Sequence, residues 1–241
     1  MASSSSPRLA ASLRSHPAGL HLALMLALTF STGVVDAVGY LGLDRVFTGN
    51  MTGNVVILAM ALTGADGLPI VGPVIALGMF LVGAAISGRV LRNLAAGWST
   101  RTTALFTVVA VVLTVAAVIA FASEDLEQPV ALAVTGALGL AMGMQAGAAR
   151  HIGVKDVTTV VVTSTLVGLA FDSRFGGGGG QTWFRRAGAI VLIGAGAATG
   201  ALLLRAHIGL GMGAAALITI VVVVLGHIGR PHTDPVSEPG A

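Results

Sequence analysis

Cysteine is absent from the 241 residues, which excludes disulfides, thiolate metal sites and cysteine nucleophiles. Charge is scarce as well: Asp, Glu, Lys and Arg make up 10% of the chain, against roughly a quarter in an ordinary soluble domain. The formal net charge is +3. A basic balance built from so few groups describes where arginines sit relative to a membrane and indicates no nucleic-acid partner. His151, His207 and His227 flank apolar segments without metal-ligand spacing among themselves, so no metal and no cofactor is expected. No nucleophile and base pair is recognisable either, and the chain is read as non-enzymatic.

What the sequence has in abundance is apolar residues, 55% of the total. A soluble core cannot hide that many consecutive apolar segments, whereas a bilayer solvates them, so the fold class is all-α, a polytopic membrane protein. Residues 1–19 read as a disordered cytoplasmic tail and 228–241, with three prolines, as another. Between them, residues 20–227 form one membrane domain with halves at about 20–122 and 129–227. The first apolar run, Leu20–Leu43, is 24 residues long and exceeds the roughly 7–15 residues of a signal-peptide core, so it is read as a retained span. Five more runs of spanning length follow, at 69–90, 102–122, 129–149, 187–204 and 207–226.

Two further apolar stretches, 50–63 and 157–171, would reach only roughly 21–23 Å as helices, short of a hydrocarbon core of roughly 30 Å. The positive charges arbitrate. If both stretches cross, six of the thirteen Lys and Arg fall inside; if both return to the side they entered, eleven of thirteen do, leaving Arg45 and Arg205 outside. The positive-inside rule therefore selects six transmembrane helices plus two short re-entrant or half-spanning helices, with both termini cytoplasmic. Trp98 and Trp183 then fall at the cytoplasmic interface, and the acidic loop Glu124-Asp125-Glu127 faces out.

The two short stretches also resemble each other. At an offset of 111, Val46, Thr48, Thr52, Val56, Leu58 and Ala59 meet Val157, Thr159, Thr163, Val167, Leu169 and Ala170, six identities in the seventeen positions from Asp44 to Met60. Three spans per half turn the second copy upside down, so the expectation is an inverted repeat whose short segments enter from opposite faces.

Asp36 is the one carboxylate well inside a confident span. A lone charge there costs at least roughly 2.5–3.5 kcal/mol on insertion scales, so it must be paired, protonated or solvated. It reads as a proton or cation site, or as a structural acceptor for Tyr40 one turn on, or for Asn50, Asn54 or Gln145 on neighbouring elements. In the doublet Thr48-Gly49-Asn50 and Thr52-Gly53-Asn54, glycine permits sharp turns and Thr or Asn caps the helix that follows, while the helix start could also offer N–H groups to a solute. Thr163, Ser164 and Thr165 supply hydroxyls at the matching place in the second half. Gly139, Gly143 and Gly147 line one helical face, and Gly196 with Gly200 another; both are read as helix-packing faces. Gly176 to Gly180 read as a flexible linker, lacking the Lys-Ser/Thr context of a phosphate loop.

Residues 30–58 resemble the YoaK family of bacterial multi-pass membrane proteins. Its Gly-x-x-Asp-Ala-x-Gly-aromatic element falls on Gly33, Asp36, Ala37, Gly39 and Tyr40, and its Phe-x-x-Asn-Met-Thr-Gly-Asn element on Phe47, Asn50, Met51, Thr52, Gly53 and Asn54. A second element at 143–170 departs from the family pattern, with Ala146 where Asn is usual and Ser164 where Gly is usual. The resemblance implies an integral protein of the bacterial plasma membrane and no established activity. The functional expectation is a small-solute transporter or channel with a site formed by Asp36, Tyr40, Asn50, Thr52, Gly53, Asn54, Gln145, Thr163 and Ser164. Its partners would be the lipid bilayer and a small polar solute or ion, with a homo-oligomer left open. The alternative is a non-transporting scaffold or assembly factor acting through glycine-rich helix faces.

Overall fold

A computed structural model describes residues 15, 17–123, 126–154, 162–178 and 183–230. The expected tails, Glu124, Asp125, Lys155, Val157, Thr159, Gly179 and Gly180 lie wholly or largely outside the described residues. Among the described residues, eight α-helices follow one another: α1 Pro17–Gly42, α2 Met51–Leu62, α3 Val71–Leu91, α4 Thr100–Phe121, α5 Gln128–Ile152, α6 Val162–Phe171, α7 Trp183–Leu204 and α8 Ile208–Gly229. All but α2 and α6 are apolar and long enough to cross a membrane. With 21 residues, even the shortest of these, α3, reaches about 32 Å, whereas the 12 residues of α2 reach about 18 Å.

Local signals set several boundaries. Ser99 and Thr102 form a reciprocal capping box at the start of α4. Gly153 ends α5 at φ 71°, a left-handed conformation that favours glycine. His207 caps α8 by accepting the Gly209 N–H at Nδ1, 3.0 Å away, and its ring stacks on Phe121.

Helix packing gives the membrane topology. α1 and α7 run parallel, with Phe30 against Gly196, Val34 against Gly200 and Gly42 against Leu204 and Ile208. α3 and α5 also run parallel, with Ala76 against Gly139, Phe80 against Gly143 and Ser87 against Gly147. α4 and α8 are antiparallel: Arg230 donates to Thr100 at 2.7 Å at one end, and Phe121 meets Gly209 at the other. Trp98, just before α4, stacks with His21 near the start of α1. One face of the bundle therefore gathers the starts of α1, α4 and α7 with the ends of α3, α5 and α8. The segment 43–70, carrying α2, leaves and rejoins the opposite face; α6 comes between the end of α5 and the start of α7, both at the first. Neither short helix adds a crossing.

These contacts are exchanged between the halves. Gly33 abuts the carbonyl of Ile193 and the nitrogen of Ala197, as Gly143 abuts the carbonyl of Phe80 and the nitrogen of Ala84. Gly196 abuts the carbonyl of Phe30, as Gly83 abuts that of Leu140. Units α1–α4 and α5–α8 are thus two copies of one arrangement, each lending its first helix to the third helix of the other. Both glycine faces read from the sequence serve this packing, which lets backbones approach where any side chain would collide.

Charge sorts by face. Among the described residues, Arg89, Arg92, Arg101, Arg150, Arg174, Arg185, Arg186 and Arg230 lie at the first face, while Arg45 and Arg205 lie at the other. Trp98 lies at the first face, where its indole is 4% exposed, donates to Thr103 at 2.9 Å and packs on Phe106 and Gly226. It is a core residue. Trp183 is 62% exposed. At the described start of the glycine run, Ser173 caps a 3-10 turn, Arg174–Gly176, and Gly176 packs on the carbonyls of Ala170 and Phe171.

Candidate functional site

Asp36 lies on the last two turns of α1, facing the chain that returns after it. Asp44 and Arg45 adopt φ 64° and 57°, left-handed conformations that non-glycine residues rarely hold, and these fold residues 46–50 back along the helix. Gly39 permits the approach, since a Cβ there would lie 2.5 Å from the Val46 carbonyl oxygen. Arg45 donates to the Gly67 carbonyl at 3.0 Å, tying the loop to the entrance of α3.

The returned loop delivers three backbone donors to one oxygen. The N–H groups of Thr48, Gly49 and Asn50 donate to Asp36 Oδ1 at 3.0, 2.7 and 3.3 Å. Each bond to a charged group is worth about 1.5–3 kcal/mol, so together they offset the cost of placing a carboxylate at membrane depth. Oδ2 accepts no hydrogen bond from the described residues. Gly49 cannot be larger, because a Cβ would sit 2.9 Å from Thr32 Cγ2 and 3.3 Å from Oδ1.

The two asparagines build this loop. Asn50 caps α2 by accepting the Gly53 N–H at 3.2 Å. Asn54, fully buried, accepts the Phe47 N–H at 2.9 Å and donates to the Phe47 carbonyl at 2.6 Å, mimicking a strand partner. Phe47 in turn stacks on Tyr40 with ring centroids 4.8 Å apart. Gly53 has ordinary helical geometry; its role is space, as a Cβ would lie 2.7 Å from the Phe47 ring.

Asp36 borders a cavity of about 700 Å³. Asp36, Tyr40, Asn50, Thr52, Gly53 and Thr163 all line it, so the starts of α2 and α6, from opposite halves, meet one space. Asn54, Gln145 and Ser164 do not line it. Gln145 donates to Thr32 Oγ1 at 2.9 Å, and Thr32 donates to the Leu28 carbonyl, so Gln145 fixes a wall residue from behind. Of the partners expected for Asp36 as an acceptor, Asn50 is one, through its backbone N–H; the other two donors are the backbone N–H groups of Thr48 and Gly49, and Tyr40, Asn54 and Gln145 do not donate to it. Sequence reasoning also missed Thr32, Phe47 and Ile193 as lining residues. Thr32, one turn before Asp36 on the same face, could have been found from helical spacing.

The site is not duplicated. The matched contacts of Gly33 and Gly143 align Asp36 with Ala146, so the second half has no carboxylate at the equivalent position. In its place α6 is tied to α7 by Arg186, which donates to the Gly168 carbonyl and to Asp172, each at 2.6 Å. Among the described residues no group of three or more His, Asp or Glu is arranged to hold a metal ion.

A family model described as "Protein of unknown function (DUF1275)" matches residues 24–226. The "UPF0700 transmembrane protein YoaK" of Bacillus subtilis (strain 168) is 32% identical over 153 residues, 62% of this chain and 65% of that protein. The matched region thus spans just under two thirds of the length of this relative. No solved structure matches the chain. With six apolar helices of spanning length and a family match over most of its residues, the chain belongs to the DUF1275 family, of which YoaK is a curated relative, and is a multi-pass membrane protein.

Proposed function

We propose that this protein is a non-enzymatic small-solute transporter or channel of the bacterial plasma membrane, with its site in the cavity at Asp36. The observation that carries the reading is the meeting of both short helices, one from each half, at a single space holding a buried carboxylate. Non-helical backbone at membrane depth is tolerated where protein buries it or where it lines a watery cavity, and the loop 43–50 does both. Half-helix starts at a repeat interface are a recurrent way to build such sites. One carboxylate and a few hydroxyls and amides suit a solute without multiple charges. The arginine-rich face is assigned to the cytoplasm by the positive-inside rule, which places both termini there.

The scaffold reading drew on glycine faces turned to lipid. Gly139, Gly143, Gly147, Gly196 and Gly200 instead pack on helices of the same chain, which removes its support. Purified protein in liposomes, screened across solute classes with and without a pH gradient, tests the proposal: accumulation of a solute class above empty liposomes is the expected result. Equal accumulation for every class would sink it.

A further inference from the structure

We infer that the cavity at Asp36 binds a small organic monocation, an ammonium group on a compact apolar or aromatic body; this rests on the solute-pathway reading and names its substrate class. Asp36 is 8% exposed, and its Oδ1 is saturated by three backbone N–H groups. Oδ2 accepts no hydrogen bond from the described residues, and Asp36 lines the cavity. Among the described residues no Lys, Arg or His lines that space, and Arg45, the nearest cation in sequence, donates to the Gly67 carbonyl. The described lining therefore supplies no counter-charge to Asp36, which disfavours anions and leaves room for one positive charge.

The surroundings choose among cations. Tyr40, one helical turn from Asp36, stacks with Phe47, and both rings border the cavity beside the carboxylate. Aromatic faces next to an acid attract an ammonium through the ring quadrupole. Val56, Ile57 and Ile193 supply an aliphatic wall for an apolar body. A bare metal cation would need six or more oxygens at close range, and a space of about 700 Å³ matches small-molecule sites of roughly 300–1,000 Å³ better than a stripped ion.

The test is equilibrium binding to the full chain in lipid nanodiscs, using benzylammonium and isobutylammonium, their uncharged isosteres benzyl alcohol and isobutanol, and benzoate. Saturable ammonium binding at least about ten-fold tighter than that of the alcohols is expected, with none for benzoate. Asp36→Asn should lose the preference for charge, and Tyr40→Leu should weaken ammonium binding by about two- to thirty-fold. Equal binding of amines and alcohols, no saturable amine binding, or full amine affinity in folded Tyr40→Leu would each overturn the inference. If Asp36→Asn fails to fold, the comparison of amine with alcohol on the native chain and the Tyr40 variant decide it alone. Amine binding without uptake of any solute into liposomes would remove the transport reading and keep the site. Uptake of neutral solutes without amine binding would do the reverse.

Discussion

The backbone N–H of Gly49 donates to Asp36 Oδ1 at 2.7 Å, the shortest of three bonds that fasten the loop after α1 to the helix it has just left. The same residue thus holds the loop with one carboxylate oxygen and also lines the cavity.

Asp36→Asn keeps the size of the side chain and one acceptor oxygen but removes the charge that strengthens all three bonds. A loss of about 1–3 kcal/mol is expected, with membrane insertion intact and any proton- or cation-linked uptake abolished. Asp36→Leu, which removes the acceptor, should cost more and raise hydrogen exchange at residues 46–50. Thermal unfolding in detergent and exchange at those amides measure both; equal protection in native and Leu variants would show that the loop is held by other contacts.

Gly53→Val should destabilise far more than Thr52→Val. The new branches enter the Phe47 ring, an overpacking worth about 1–3 kcal/mol, whereas Thr52 is exposed and loses only a hydroxyl. Melting temperatures of the two purified variants check the order.

The exchanged glycine contacts allow an internal control. Gly143→Val and Gly33→Val should both disrupt folding, because each Cβ meets a backbone carbonyl of the partner helix, while Gly78→Val, with nothing within 4 Å, should be tolerated. Expression and monodispersity after detergent extraction give the comparison. A tolerated Gly143→Val would mean that α3 and α5 are not packed as described.

Absence of native cysteine makes topology directly measurable. Arg45→Cys and Ala65→Cys, flanking α2, should both label with a membrane-impermeant thiol reagent from outside; Arg150→Cys and Phe175→Cys, flanking α6, should both label only from inside. Labelling of positions 45 and 65 from opposite sides would make α2 a true span and collapse the inverted arrangement.

Much of this was legible from composition and spacing. Lengths of apolar runs identified all six long helices and both short ones, since hydrocarbon thickness imposes its own ruler. The face of Gly139, Gly143 and Gly147 announced close packing because only glycine clears a neighbouring backbone. The donors to Asp36 were not legible. They are main-chain groups, which every residue carries, and they arrive through a left-handed turn at Asp44 and Arg45, residues with no glycine to advertise it. The burial of Trp98 was not legible for a related reason: Gly226 on α8, 128 residues later, makes room for its indole. Ile193 joined the cavity wall through the same long-range pairing of α1 with α7.

That pairing has a consequence for how the protein is made. Gly33 leaves the ribosome 160 residues ahead of Ile193, the residue whose carbonyl it packs against, a delay of roughly 8–32 s at translation rates of about 5–20 residues per second. Asp36, by contrast, finds its three donors within 14 residues. The nascent first half therefore enters the bilayer with its buried Asp36 already hydrogen-bonded by its own loop, while its glycine faces stand open to lipid until the second half is synthesised. During that interval two first halves emerging from neighbouring ribosomes present each other with the same surface that α5 and α7 will later fill.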